Sequence, residues 1–267
     1  MRSLLRRTGK GLKTPEQIER MRRAGAVVHA VLTRVREMVR PGTTTQELNA
    51  AAEEIIRRAG GVALFRGVKN RQAPLPFPAA LCTSVNSQVV HGIPSGRVLV
   101  EGDIVSVDCG VRLDGFCGDS ATTIPVGHVS EGVARLLVVT REALDLAIAR
   151  IRPNVWWSDV AKAIQAHVEQ AGFSVVREFV GHGIGREMHE EPKVPNYCDP
   201  KERKEDFLLR PGMTLAIEPM VTMGSPEVEY EDQTHWPVVS KDGSYAAHFE
   251  HTIAVTARGC EVLTDGR

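Results

Sequence analysis

The feature that most constrains this 267-residue chain is a helical pattern written twice. Arg40-Pro41 leads to Ala59-Gly60, and Arg152-Pro153 leads to Ala171-Gly172, with the same nineteen residues from proline to glycine. Proline ends one helix because it lacks an amide hydrogen, and glycine ends the next because it accepts a left-handed backbone. Before the first joint, Thr14, Pro15 and Gln17 compose a capping box with proline at the first helical position. Ile18, Met21, Gly25, Val28, Leu32, Val35 and Val39 then recur at spacings of three and four, the stripe of a helix with one buried face. A second helix is predicted from about Thr45 to Ala59. In the later copy Ser130 is predicted to cap a helix carrying Val133, Leu137, Leu144, Ile148 and Ile151, and Ser158 to cap one ending at Ala171-Gly172.

Strand-like stretches follow each helix pair, "VEGDIVSVDCGV" and "RPGMTLAIEPMV". Aligning Gly102 with Gly212 sets Asp108 against Glu218, carboxylate over carboxylate. Three registers that agree argue for duplication. The predicted class is α/β, of the α+β kind: two similar halves, about 14–125 and 126–267, forming a single domain around one site. Residues 1–13 read as a basic, flexible tail, with too short an apolar element for a signal-peptide core. Thirty-three basic residues balance thirty-three acidic ones, which leaves no net field to attract nucleic acid. No apolar run is long enough to span a membrane. Five cysteines without CxxC spacing do not make a disulfide framework, and they fit a reducing cytosol.

Asp114-Gly115 is a two-residue hairpin signal between "DIVSVDCGVRL" and "FCGDSATTI". That turn sets Asp119 opposite Gly110, with Asp108 on the same face and within roughly 8 Å. Like charges so close need a proton or a cation between them. Glu218 ends the apolar "MTLAIEP", and Glu250 lies in "AAHFEHTIAV" with His248 and Thr252 on its own face. Any one of these carboxylates could be a buried, hydrogen-bonded residue; four of them in apolar strands favour a cation site. Carboxylates plus one imidazole suit Mn²⁺, Fe²⁺, Co²⁺ or Zn²⁺, and four negative charges match two divalent ions. The stretch "GHGIGREMHEEP" has Arg186 where a dinucleotide loop needs its last glycine, and it lacks the HExxH spacing of a helical zinc site. It reads as a loop offering His182 as a ligand and His189 toward a substrate.

At these residues the chain resembles the type I methionine aminopeptidases, from "KTPEQIERMRRAG" to "EHTIAVT". The motifs that carry the resemblance are "CTSVNSQVVHGIP", "DIVSVDCGVRLDGFCGDSATT", "GHGIGREMHEEPKVPNY", "LAIEPM" and "FEHTI". It implies the pita-bread fold, removal of the initiator methionine, and a two-metal centre held by Asp108, Asp119, His182, Glu218 and Glu250. It further implies a metal-activated water whose proton goes to Glu218, with His91 and His189 contacting the substrate and steadying charge at the scissile amide. Cys82, Phe77 and Trp236 would form an apolar slot for the methionine side chain. The implied partner is the N-terminal methionine of nascent polypeptides, met by a monomer in the cytoplasm; a transient ribosome contact through the basic tail stays open. Val90, Met188, His248 and the segment Pro74 to Pro78 depart from the family pattern at the rim of the pocket. Two other readings stand beside this one: an aminopeptidase of the same fold cutting before proline, and a non-catalytic binding scaffold.

Overall fold

The computed structural model describes residues 11–199 and 205–267. Most of the predicted basic tail therefore lies outside the described residues. At its end Lys13 is held in place, with Nζ 2.6 Å from Glu190 and the amide donating to the Gly212 carbonyl at 2.7 Å.

Helix α1 spans Pro15–Met38 behind the capping box of Thr14 and Gln17. Its buried face is wider than the predicted stripe, since Ala24 and Val31 join Met21, Gly25, Val28, Leu32 and Val35. At Gly25 a β-carbon would lie 2.0 Å from the Leu263 carbonyl oxygen, so only glycine lets α1 lie this close to the C-terminal segment. Helix α2 spans Thr45–Arg58 under a second capping box, Thr44 with Glu47. Both helices cover a sheet ordered Val62–Ala63, Ile104–Leu113, Leu81–Val85, with Phe116–Pro125 paired to its long strand. The second half repeats the plan. Helices α3, Glu131–Arg150, and α4, Trp157–Gln170, pack beside five strands ordered Cys260–Val262, His251–Val255, Thr214–Ile217, Gly181–Gly183, Glu190–Val194.

The duplication extends to backbone detail. Gly102 and Gly212 turn at φ 91° and 89°, and the caps Ala59 and Ala171 share φ −74° and −77°. The isolated bridges Thr44↔Val98 and Trp156↔Leu208 occupy equivalent places in the two halves. One predicted cap is wrong. Ser158 sits inside α4, whose N-cap is Trp156 without a side-chain cap. The free amides there are satisfied from a distant segment instead: Trp157 donates to the Phe207 carbonyl at 2.9 Å and Ser158 to Asp206 Oδ1 at 3.0 Å. A partner supplied by tertiary structure replaces the local cap.

Each half has its own apolar core. The halves are joined where Gln88–Val90 pairs with Val238–Ser240 and where Phe116–Pro125 meets residues 248–252. No helix among the described residues is long and apolar enough to cross a membrane.

Candidate metal centre

The hairpin register places Gly110 opposite Asp119 and Asp108 opposite Ala121, as the Asp114-Gly115 turn predicts. Cys82 lies across from Asp108 on the other side. The strand bearing Asp119 is then fastened to the second half. Its amide donates to Thr252 Oγ1 at 3.0 Å, the Thr252 hydroxyl donates to the Asp119 carbonyl at 2.8 Å, and Glu250 donates its amide to Ala121 at 2.9 Å. These bonds carry a first-half carboxylate to a second-half one.

The segment "AAHFEHTIAV", read as one strand, is two. Ala246–His248 pairs with Met220–Thr222, and His251–Val255 pairs with Thr214–Ile217 in another sheet. The register nevertheless continues across the break, Met220↔His248 on one side and Ile217↔His251 on the other. Glu218 and Glu250 therefore face each other at the point where the chain changes sheets. Freed from regular pairing there, both can turn their carboxyls inward.

His182 sits on Gly181–Gly183, squeezed between Glu190–Val194 and Thr214–Ile217. A β-carbon on Gly181 would lie 2.4 Å from the Ala216 oxygen, and one on Gly183 would lie 2.3 Å from the Glu191 oxygen. The flanking glycines of "GHGIG" thus permit close packing on both sides of His182. Its Nδ1 lies 3.0 Å from the Gly183 carbonyl, which directs Nε2 inward, 3.6 Å from Glu218 Oε1.

One cavity is lined by all ten residues singled out in the sequence: Cys82, Phe77, Trp236, His91, His189, Asp108, Asp119, His182, Glu218 and Glu250. Ligand atoms of Asp119, His182 and Glu250 lie within 4.8 Å of one another, as do those of Glu218, His248 and Glu250. His248 is an addition to the predicted set. The signal for it was its alternation with Glu250 on one strand face. Phe65 and Val68 also line the cavity, and no spacing in the sequence marks them. On the apolar side, Phe77 meets Trp236 edge-on at 5.2 Å and Phe65 at 6.4 Å, while Trp236 Nε1 donates to the Leu75 carbonyl at 2.9 Å. His189 stands at the exposed rim, its ring 4.4 Å from that of His182.

The electrostatics show a site lacking positive charge. Burial, then the charge of Glu218, pushes Asp119 up to about 8, and burial pushes Glu218 up to about 7. Asp108 and Glu250 are driven well above the carboxylate range, first by burial and then by the neighbouring carboxylates. Burial lowers His91 to about 4 and His248 to about 3. One buried oxygen each of Asp108, Asp119 and Glu250 has no hydrogen-bond partner. Native proteins rarely leave such atoms orphaned, and carboxylate oxygens facing each other around neutral imidazoles are what a divalent cation requires. The residues fit a metal.

A pH dependence follows for the metal-free protein. Asp119 and Glu218 hold protons in the folded state that the unfolded chain releases near 3.8 and 4.5, so their stabilising contribution fades as pH rises toward about 8 and 7. His91 and His248 act oppositely, because the unfolded chain takes up protons below 6.5 and the folded one does not. Their contribution, with that of the other lowered imidazoles His182, His189 and His251, is complete about one unit above pH 6.5. From there to about pH 8 only the carboxyl effect remains. The melting temperature of chelator-treated protein is expected to fall over this interval, and saturating metal to remove the fall by displacing the protons. A rise in the chelated protein over the same interval would contradict the carboxyl assignment.

The model of metallopeptidase family M24 matches residues 19–257. Methionine aminopeptidase 1 of Bacillus subtilis is 44% identical over 252 residues, covering 94% of this chain and 98% of the relative. The crystal structure of methionine aminopeptidase from Thermotoga maritima superposes with a TM-score of 0.89 at 44% identity, covering 95% of this chain and 98% of that one. An Xaa-Pro dipeptidase from Bacillus anthracis shares the fold, with a TM-score of 0.73 at 23% identity, and this chain spans 62% of it. The architecture is the pita-bread fold expected from the motifs. Aligned over nearly its whole length with such relatives, the chain belongs to metallopeptidase family M24 and, within it, to the methionine aminopeptidases.

Proposed function

We propose that this chain hydrolyses the first peptide bond of new polypeptides that begin with methionine and carry a small second residue. The supporting observation is that one cavity joins an apolar slot to a cluster of orphaned carboxyls, with near-full-length likeness to methionine aminopeptidases beside it. Two divalent ions, drawn from Mn²⁺, Fe²⁺, Co²⁺ and Zn²⁺, would be held by Asp108, Asp119, His182, Glu218 and Glu250. When bound, the metal supplies Lewis-acid polarisation and acidifies water.

The chain's own residues do the rest. Phe77, Trp236, Phe65 and Cys82 surround the methionine side chain, and an unbranched thioether suits an irregular aromatic slot. Burial pushes the Cys82 thiol well up, so it stays neutral and packs as a small apolar group. Glu218, ionised beside a bound cation, would accept a proton from the attacking water and pass it to the leaving amine. His91, neutral above about pH 4, donates an N–H toward the developing charge on the amide, and His189 assists from the rim. The chain acts as a cytoplasmic monomer, a placement that its free cysteines support. Its basic start favours transient contact with the ribosome.

Peptide hydrolysis with each metal tests this reading. Met-Ala is expected to be cleaved on the order of 10² faster than Met-Trp, because a bulky second side chain collides with the cavity mouth. Met188 lines that mouth, and its flexibility should soften the limit for intermediate residues such as leucine. Equal rates on Met-Ala and Met-Trp would remove the size rule. Faster hydrolysis of Ala-Pro would favour the proline-directed alternative, and no hydrolysis with any metal would favour a binding scaffold.

A further inference from the structure

His248 Nε2 shares the condition of the carboxyl oxygens around it: it is buried and has no hydrogen-bond partner. It lies 3.4 Å from Glu218 Oε2 but off the line of a hydrogen bond. The side chain is 2% exposed. Its backbone is fixed from the other half: the His248 amide donates to Thr123 Oγ1 at 2.9 Å and the Thr123 hydroxyl donates to the His248 carbonyl at 2.8 Å. Thr123 lies on the same strand as Asp119, so one strand sets both residues at the centre. His248 and Glu250 come together with Glu218 at the point where the chain changes sheets.

We propose that His248 is a ligand of one of the two metals, so that each ion receives one imidazole. The donors form two overlapping groups, with Asp108 in neither and Glu218 3.6 Å from His182 as well as 3.4 Å from His248. Asp119, His182 and Glu250 gather within 4.8 Å of one another, and Glu218, His248 and Glu250 do the same, with Glu250 common to both groups. A histidine kept only to orient Glu218 would hold Nε2–H on a carboxylate lone pair, which this ring does not. A second nitrogen donor also moves the preference of that ion toward Zn²⁺, Co²⁺ or Fe²⁺ relative to Mn²⁺, which favours oxygen.

This inference rests on the paired-metal reading, and the experiment separates the two. Wild type, His248→Gln and His248→Ala are stripped with chelator, titrated calorimetrically with Zn²⁺ and Mn²⁺, and examined zinc-loaded by X-ray absorption, which counts imidazoles per metal. Wild type should bind two ions with one imidazole per zinc on average. Both variants should fall to half an imidazole per zinc and lose at least about tenfold in affinity at one site, more for Zn²⁺ than for Mn²⁺. Glutamine can still donate to Glu218 but is a poor ligand for zinc. Full affinity in His248→Gln would therefore make His248 a positioning residue and overturn the proposal, as would an unchanged imidazole count with both zinc sites filled. Should neither variant fold, the wild type decides, because half an imidazole per zinc leaves no place for His248. A wild type that binds fewer than two ions overturns the paired centre itself.

Discussion

Replacing Asp108 or Asp119 with alanine is expected to abolish peptide hydrolysis and reduce metal stoichiometry, while leaving the stripped protein no less stable than wild type. The last part sounds contrary for a buried residue, but the electrostatics require it. Asp119 is buried and Asp108 half-buried beside it, and each is driven up by burial of its carboxyl and by neighbouring acids. Without a cation, their removal eliminates desolvation and repulsion, in exchange for a small cavity among polar groups. With a cation the balance reverses. Ligand at a hundred times its dissociation constant stabilises the folded wild type by about 2.7 kcal/mol, and a variant that cannot hold the ion loses that gain. Thermal melts with and without metal, beside metal analysis, check both halves of the expectation. Asp119→Asn keeps the volume and separates loss of charge from loss of packing. Full metal content and activity in Asp108→Ala would exclude the site as drawn. A stripped Asp119→Ala protein that melts far below stripped wild type would mean that the carboxyl is structural, held by the Asp108 contact rather than waiting for a cation.

Local rules carried the sequence a long way toward this centre, and they failed where tertiary structure takes over. A two-residue turn fixes register by geometry alone, so Gly110 opposite Asp119 could be read from Asp114-Gly115. The twofold pattern was readable because equivalent turns need equivalent backbones, down to Gly102 and Gly212. Ser158 misled because a serine near a helix start is a good cap only when no distant group supplies one, and Asp206 does. The break after His248 was hidden for a related reason. The apolar pattern of "AAHFEHTIAV" is continuous, yet its two pieces pair in different sheets, and pairing is not written in periodicity. His248 was visible as a polar residue on the face of Glu250, but nothing in the sequence says that its Nε2 meets Glu218. Phe65 and Val68 enter the slot from an irregular segment between Val62–Ala63 and Leu81–Val85, where no spacing rule applies.

The tripeptide His-Gly-Ile occurs twice, at His91 and at His182, and the two copies are expected to fail in different ways when their histidines are removed. His182→Ala should lose affinity for at least one metal, whereas His91→Ala should keep both ions and lose roughly 10²–10⁴ in kcat, the usual worth of a positioned acid or base. Position separates them. His182 reaches to within 3.6 Å of Glu218 and belongs to a group of closely spaced ligand atoms; among the described residues His91, like Asp108, belongs to none, but Asp108 feels the charges of Asp119 and Glu218 and His91 feels no carboxylate. His91 is instead held by aromatic edges, Phe179 at 5.3 Å and Trp236 at 6.4 Å, the latter a wall of the apolar slot. Its backbone has φ 60°, a left-handed conformation that a non-glycine residue adopts at some cost. That conformation is secured by the next residue, since Thr83 donates its amide to the Gly92 carbonyl at 2.7 Å and Gly92 donates to Ser84 Oγ at 3.1 Å. Strain held in this way aims the imidazole into the cavity without bringing it to the carboxyls. Calorimetric metal titration beside steady-state kinetics distinguishes the roles. Loss of metal in His91→Ala with retention in His182→Ala would reverse the assignment of the two histidines.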